Sequence, residues 1–326
     1  MQGEDASEQV ANGKCNVGID VCEAWLDIHV LPCEEAFRVA NTPQGHRSLK
    51  RRLKHHEIGV IVIEATGKWH RQIQRSLHAS SYAVHVVNPL RARLFAEGIN
   101  VLAKTDKLDA RMLAMMGFML GNEAKPPDPK IIEELKELVQ ARASAVAEQT
   151  SLRNQSGSAQ VAFVRRQLEK RQDRLAKDIK ALGSHIMKRI KSDEGLRRRH
   201  EILSSIPCFG EVVAMTLLAW LPELGSCNHK QIASLTGLAP WADDSGKREG
   251  ERHIKGGRTV VRNALYLAAL TAARFNPDMQ TFYLQLKAKG KDGKLPIIAI
   301  ARKLVVLANT LISADRIWMP KSPVLA

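Results

Sequence analysis

The pattern of hydrophobic and polar positions divides the chain into three textures. In the first 120 residues, short apolar runs alternate with segments of helical periodicity, which is typical of an α/β layer. The apolar runs predict five strands, at residues 16–21, 25–31, 36–40, 59–64 and 83–87. The periodic segments predict four helices, at residues 43–56, 68–79, 89–96 and 106–120. Two strands at hairpin distance, followed by strands that alternate with helices, predict a mixed sheet.

A long helical segment follows this layer. Residues 121–130 hold three prolines and predict a linker. Beyond it, apolar residues recur at helical spacing through residues 131–200, with Lys and Arg on the other faces. The clearest stripe consists of Leu168, Leu175, Ile179, Leu182, Ile186 and Ile190. This coiled-coil-like stripe suits either a helical hairpin or a seam between chains.

The third texture, at residues 201–320, is mostly α-helical. It opens with two apolar helices around a Pro-x-x-Gly turn, which resembles a helix-hairpin-helix element that offers backbone N–H groups to a phosphate. Cys208 stands where such a turn usually has glycine, so a plain αα-corner is the alternative. The complete division is a disordered tail at 1–14, an α/β catalytic domain at 15–120, the linker, the coiled-coil segment at 131–200, and the helical domain at 201–320.

Charge changes this picture because the chain carries a formal net charge of +15. Residues 151–200 hold 14 Lys and Arg against 5 acids, and residues 247–303 hold 13 against 4. Two basic zones on an otherwise near-neutral chain indicate a polyanionic partner, nucleic acid before membrane. Solvated helix faces are the alternative interpretation of the same charges.

Cysteine spacing and hydropathy exclude several classes. The five cysteines form no C-x-x-C pair, so neither a disulfide framework nor a zinc ribbon is expected, and a reducing cytosol fits. The polar residues 1–14 contain no apolar core of a signal peptide. The apolar stretch 295–312 contains Arg302 and Lys303, which a membrane span rarely accepts. We therefore expect no membrane association.

Acidic residues mark the candidate chemistry. Asp20 ends the first strand, Glu64 ends the buried GVIVIE run, and Asp106 and Asp109 share one face of a helix that Thr105 would cap. Singly, each acid has an alternative explanation as a cap, a turn charge or a charge at a helix start. Together they form a four-carboxylate cluster of hard oxygen ligands, which suits Mg²⁺ or Mn²⁺. Two such ions can hold the attacking and leaving oxygens of a phosphoryl transfer.

These residues lie in strings that resemble the DEDD transposases of bacterial insertion sequences, a family with a RuvC-like, ribonuclease-H-type domain. Each string is weak, but their order and spacing are specific, and they extend over nearly the whole chain. The strings are GID-x5-LD from Gly18, IEATG from Ile63, VNP from Val87, KTD-x-x-DA from Lys104, IP-x-x-G from Ile206, LTGLAP from Leu235, Ser245-Gly246 and R-x-AL from Arg262. The same family includes site-specific DNA invertases.

The resemblance also implies a nucleophile. On the sequence alone Ser245-Gly246 indicates only a turn, whereas in the family the serine of this pair is proposed to join covalently to DNA. Whether Asp243 or Asp244 assists it is left open by the residues. The flanking cations are candidate nucleic-acid contacts, together with Lys104; they are Lys247, Arg248, Arg252, Lys255, Arg258 and Arg262.

Further partners follow from the resemblance alone. Family members use a structured RNA of their own element that pairs with both DNA partners, which would account for two basic zones. Recombination of two duplexes implies a homo-oligomer, a dimer or tetramer, in a bacterial or archaeal cytoplasm at the nucleoid. The expected function is metal-dependent DNA strand exchange through a phosphoserine intermediate. The rivals are an invertase of the same family, a two-metal nuclease that needs the acids but not Ser245, and a non-enzymatic nucleic-acid-binding protein.

Overall fold

The computed structural model describes residues 13–100, 106–121, 124–246 and 250–320, with residues 106 and 107 described by their backbone alone. The chain divides into two compact units, Met1–Asp128 and Pro129–Ala326. The tail expected at residues 1–14 lies almost wholly outside the described residues.

The first unit contains a five-stranded mixed sheet. Its strands are β1 (Cys15–Val21), β2 (Trp25–Leu31), β3 (Glu35–Ala40), β4 (Ile58–Glu64) and β5 (Val84–Val87). Their order across the sheet is β3-β2-β1-β4-β5. The β1–β2 and β2–β3 pairs are antiparallel, whereas β1–β4 and β4–β5 are parallel. The predicted α/β class and mixed sheet are confirmed.

Helices cover both faces of this sheet. They are α1 (Pro43–Leu53), α2 (His70–His78), α3 (Pro89–Gly98) and α4 (Asp106–Leu120). Thr42 caps α1 by accepting a hydrogen bond from the Gly45 amide, as its position before Pro43 predicts. One apolar cluster joins Ile19 and Ile63 to α1 and α2, and another joins Val62 to α4. The period-2 alternation of β1 and β4 therefore supplies two cores.

The second unit is mostly helical. It begins with a hairpin of two long helices, α5 (Lys130–Ser158) and α6 (Ala162–Lys191). The stripe predicted for association packs within the chain: Ile186 and Ile190 are buried in the same core as Ile132 and Leu135 of α5. A helical hairpin, one of the two alternatives for this stripe, is therefore present. Coiled-coil association between chains stays a prediction.

The remaining described helices share this core. They are α7 (Glu194–Ser205), α8 (Glu211–Trp220), α9 (His229–Leu235), α10 (Thr259–Phe275), α11 (Pro277–Ala288) and α12 (Leu295–Ser313). Helix α7 runs across residue 200, where the sequence pattern placed a boundary. The hairpin and the C-terminal helices belong to one unit because their apolar faces cover each other.

The turn between α7 and α8 has an unusual residue in its tightest position. Cys208 adopts a φ of 73°, a left-handed conformation that glycine takes at no steric cost. The turn therefore has the backbone conformation that glycine favours, although a cysteine occupies the position. Gly210 precedes the first turn of α8 without a side-chain cap.

Within the described residues, one helix is long and apolar enough to cross a membrane by length and composition. This helix is α12, and half of its apolar stretch is buried inside the structure. Ile300, Leu304 and Val305 are fully buried in the helical core. Helix α12 is therefore apolar because it lies in the core of the helical unit. Arg302 is half-buried and Lys303 is exposed.

Candidate active site

Two predicted acids end neighbouring parallel strands. The β1–β4 register pairs Gly18 with Val62 and Ile19 with Ile63, so Asp20 and Glu64 are the next residues on each strand. Each acid shares a face with the residue two positions before it, and both are half-buried. The sheet therefore brings Asp20 and Glu64 to one edge, on the same face.

Helix α4 lies on that face. A Cβ atom on Gly18 would overlap the backbone of Ala110 and Ala114, so glycine is what lets the helix approach β1 so closely. Farther along the helix, a Cβ atom on Gly117 would lie 3.0 Å from Val62 Cγ2. The helix thus runs antiparallel to β1 and β4, and its first turn lies toward their carboxyl ends.

The rise per residue places the helical acids. Asp20 lies two residues beyond Gly18, about 7 Å along the strand. The same distance along α4 is about four to five residues, which reaches from the Ala110–Ala114 segment back to the first turn. Asp109, half-buried, lies in that turn, and Asp106 is the first residue of the helix. The side chain of Asp106 lies outside the described residues, as do Lys104 and Thr105.

A second acid lies beside Asp20 and was not singled out from the sequence. Asp27 on β2 is the direct cross-strand partner of Asp20. Its buried carboxylate accepts hydrogen bonds from Arg38 Nε at 2.9 Å and Nη2 at 2.8 Å. Arg38 therefore neutralises a like charge that would otherwise face Asp20. In the sequence, Asp27 could have been found because it ends the GID-x5-LD string that begins at Gly18.

Another ion pair ties α4 to the sheet. Arg111, two residues after Asp109, donates to both carboxylate oxygens of Glu34, at 2.8 and 3.1 Å. Glu34 lies in the turn between β2 and β3, and His29 Nε2 is 3.0 Å from it. The hydrogen bond from Arg111 is the main cause that lowers the pKa of the Glu34 carboxyl to about 2.

Ser245 belongs to the second unit and lies between the two strands of a short β-hairpin. Strands β6 (Pro240–Trp241) and β7 (His253–Ile254) close the hairpin. The Asp244 carboxylate accepts hydrogen bonds from the Gly250 amide at 3.2 Å and from Arg252 Nη2 at 3.0 Å. Asp244 therefore joins the two arms of the hairpin, and the neighbouring Ser245 is exposed to solvent.

The candidate nucleic-acid contacts have different environments. Arg258 donates to both oxygens of Glu223, at 2.6 and 2.7 Å, and is half-buried. Arg262 donates to the Gly256 carbonyl at 2.6 Å. Both guanidinium groups thus brace the base of the hairpin. Lys255 is exposed and lies 5.8 Å from the centre of the Trp241 ring. Lys247 and Arg248 lie outside the described residues.

The donor set at the sheet edge fits a divalent cation. Carboxylate oxygens are hard ligands, the kind that Mg²⁺ and Mn²⁺ prefer in proteins. Asp20, Glu64 and Asp109 would hold such an ion, with Asp106 on the same helix. At a site of this kind a divalent cation supplies charge neutralisation to a phosphoryl group.

Two family models match successive parts of the chain. The DEDD transposase model of the IS110 type matches residues 17–159, and the model of the transposase IS116/IS110/IS902 family matches residues 200–284. The chain belongs to this transposase family. The first match contains all four acids and the second contains Ser245. The resemblance drawn from the sequence strings is confirmed, and the chain is a DNA-processing enzyme.

Relatives of the transposase family extend over nearly the whole chain. The pilin gene-inverting protein of Moraxella bovis is 27% identical over 318 residues, which cover 93% of this chain and 97% of that protein. The uncharacterized 42 kDa protein of insertion element IS900 from Mycobacterium paratuberculosis is 29% identical over 160 residues, 47% of this chain and 40% of its own length. Similarity to the inverting protein thus includes both the acid-bearing unit and the serine hairpin.

Proposed function

We propose that this chain cleaves and rejoins DNA with a divalent metal centre at Asp20, Glu64, Asp106 and Asp109 and with Ser245 as nucleophile. The observation that carries the proposal is the β1–β4 register, which sets Asp20 and Glu64 side by side under the first turn of α4. Mg²⁺ is the expected ion, with Mn²⁺ as its substitute, because all four donors are carboxylates.

The acids act on the scissile phosphate. A divalent cation held by these acids would neutralise the charge that develops on the phosphoryl oxygens. The chain's own contribution is position: the sheet fixes Asp20 and Glu64, while the Glu34–Arg111 pair and the close approach at Gly18 fix the helix that carries Asp109. Arg38 keeps Asp27 neutralised, so that the negative charge is concentrated on the acids that bind the ion.

Ser245 supplies the attacking oxygen. Its Oγ forms a bond to phosphorus as the bond from phosphorus to the leaving deoxyribose oxygen breaks, and the phosphoserine conserves the energy for rejoining. The Asp244 hydrogen bonds support this role because they hold an exposed serine in a defined conformation. Lys255 and Arg252 beside the hairpin would contact the DNA backbone.

The assembly is a homo-oligomer, a dimer or tetramer, guided by an RNA of its own element and located at the nucleoid. Strand exchange between two duplexes needs several active sites at once, and the basic faces of α6 provide a second nucleic-acid surface. Exposed cations on that helix include Arg165, Arg166, Lys170, Arg171, Arg174 and Lys177. Affinity for nucleic acid should fall steeply as salt rises.

Inversion is the second candidate outcome. The pilin gene-inverting protein aligns over 97% of its own length, which supports inversion as an outcome for this chain. Inversion and transposition use the same cleavage and rejoining steps and differ in the placement of the DNA sites. A plasmid carrying paired element ends separates the two, because inversion keeps its size and excision shortens it.

The metal centre is tested by acid variants on such a plasmid. Asp20→Asn, Glu64→Gln, Asp106→Asn and Asp109→Asn should each remove most cleavage while circular dichroism and melting stay close to wild type. Double variants should cost little more than single ones, because these residues act as a unit. The matched control is Glu97→Gln, an exposed acid paired with Arg93 in α3. An acid whose neutral variant keeps full activity and normal Mg²⁺ dependence does not belong to the site.

A further inference from the structure

The first unit gathers two thiols and an imidazole away from the carboxylates. The ligand atoms of Cys15, Cys33 and His56 all lie within 4.8 Å of one another. Cys15 begins β1, Cys33 lies in the turn between β2 and β3, and His56 follows α1. Five residues separate Cys15 from Asp20 along β1, which is about 16 Å at the rise of a strand. The group is therefore distinct from the acid site.

Hydrogen bonding orients the imidazole toward the thiols. His56 Nε2 lies 2.9 Å from Glu35 Oε2, and His56 Nδ1 lies 3.9 Å from Cys15 Sγ. A carboxylate at Nε2 keeps the proton on that nitrogen, so the Nδ1 lone pair faces the sulfur atoms. Metal-binding histidines commonly donate their other ring N–H to a carboxylate in this way.

We propose that Cys15, Cys33 and His56 form a zinc site in which Glu35 orients His56. Thiolate and imidazole ligands favour Zn²⁺ over the hard cations expected at the carboxylates. A tetrahedral zinc ion with ordinary bond lengths holds a sulfur and a nitrogen ligand about 3.6 Å apart. The observed 3.9 Å between Cys15 Sγ and His56 Nδ1 needs a movement of only a few tenths of an ångström.

The fourth ligand is a water molecule. Cys33 is exposed, so the group opens to solvent on its side, whereas Cys15 is buried. Burial, and next the neighbouring Cys33, raise the pKa of the Cys15 thiol. A dication reverses this balance because it stabilises both thiolates. Binding therefore releases protons, and zinc affinity should increase with pH.

The role of the site is structural. Three segments distant in sequence meet there: the start of β1, the β2–β3 turn, and the connection from α1 to β4, whose Glu57 carbonyl accepts a hydrogen bond from the Cys15 amide at 2.7 Å. A shared ion cross-links these segments at the end of the sheet opposite the acids. It stabilises the strands that present Asp20 and Glu64 without taking part in their chemistry.

Metal analysis of the full-length protein tests the site. Protein purified under reducing conditions should contain about one equivalent of zinc, and Co²⁺ exchanged into it should give thiolate-to-cobalt charge-transfer absorption. Cys33→Ser and His56→Gln should each abolish this absorption, and Glu35→Gln should weaken binding by about 10- to 100-fold. Cys33 is exposed, so Cys33→Ser keeps the fold. The control is Cys22→Ser, an exposed cysteine outside the group.

Melting provides an independent readout. A zinc chelator should lower the Tm of wild type and of Cys22→Ser but leave that of Cys33→Ser unchanged. Reduced protein without zinc and without charge-transfer absorption on Co²⁺ addition would overturn the proposal, and so would full binding by both Cys33→Ser and His56→Gln. A Cys15–Cys33 disulfide in freshly purified, zinc-free protein would also overturn it and would identify a redox pair instead.

Discussion

Arg111 on α4 donates two hydrogen bonds to Glu34 in the β2–β3 turn. The pair joins the helix that carries Asp109 to a turn of the sheet that carries Asp20. Planar bidentate geometry fixes an orientation as well as a distance. We therefore assign it a positioning role for the metal centre.

The Glu34–Arg111 pair predicts a specific pH dependence of stability. The pKa of Glu34 is lowered from its ordinary 4.5 to about 2, so its contribution is present above pH 4.5 and lost as the pH falls through about 2. Urea unfolding should show wild type more stable than Glu34→Gln at neutral pH and the two converging in acid. Both side chains are about half exposed, so added salt should shrink the difference. If the pair positions the metal centre, Glu34→Gln should also lose DNA cleavage, whereas Glu97→Gln, which breaks an exposed pair within one helix, should not. Equal losses of cleavage in both variants would contradict the positioning role.

Gly18→Ala tests the close approach of α4. The new Cβ would overlap the backbone of Ala110 and Ala114, so the helix must move away from β1. We expect a loss of about 3 kcal/mol in the free energy of unfolding and a larger proportional loss of cleavage. Gly98→Ala in α3 is the matched control, since its Cβ meets nothing within 4 Å and alanine is favoured in a helix by about 0.5–1 kcal/mol. A Gly18→Ala protein with wild-type stability and activity would show that the helix is not seated as described.

Cys208 predicts a difference between two small substitutions. Cys208→Gly and Cys208→Ala both remove the sulfur, but only glycine accepts the φ of 73° without strain. The glycine variant should therefore be more stable than the alanine variant by about 1 kcal/mol. Chemical denaturation of the two variants measures this directly. Equal stabilities would mean that the left-handed conformation is absent in solution.

Lys255 and Arg258 should separate binding from stability. Arg258→Ala leaves the half-buried Glu223 without its bidentate partner and should destabilise the second unit by about 1–3 kcal/mol. Lys255→Ala should keep wild-type melting, weaken DNA binding modestly and reduce its salt dependence by about one counterion. Melting curves together with binding isotherms at several salt concentrations decide the matter. The reverse pattern would assign Arg258, not Lys255, to the DNA backbone.

The sequence predicts the elements of the first unit well because their signals are local. Short apolar runs locate β1 and β4, and Thr42-Pro43 locates the start of α1. The side-by-side placement of Asp20 and Glu64 depends on the register between strands some forty residues apart, and only the structure gives it. Single residues and their spacing suggested the acids, but not how they meet.

The sequence did not predict contacts between side chains that come from separate segments of the chain. The Asp27–Arg38 and Glu34–Arg111 ion pairs depend on strand register and helix packing. The Cys15, Cys33 and His56 group has no recognisable spacing, and the cysteine spacing argued only against a zinc ribbon. The hydrogen bonds of Asp244 to Gly250 and Arg252 depend on the conformation of the hairpin. In each case the partner is distant in sequence or defined by a turn conformation.

The central claim is that Ser245 becomes covalently bound to DNA in a reaction that needs the carboxylate site. The decisive measurement is denaturing electrophoresis of the protein after incubation with Mg²⁺ and labelled DNA from its element ends, followed by mass spectrometry of the adduct peptide. We predict a DNA-linked peptide containing Ser245 in wild type and in the control Ser184→Ala, an exposed serine of α6. Ser245→Ala, Asp20→Asn and wild type without divalent metal should give none. Full strand exchange by Ser245→Ala, or an adduct on another residue, would contradict the account and indicate that water or a DNA hydroxyl attacks, or that a different side chain is the nucleophile.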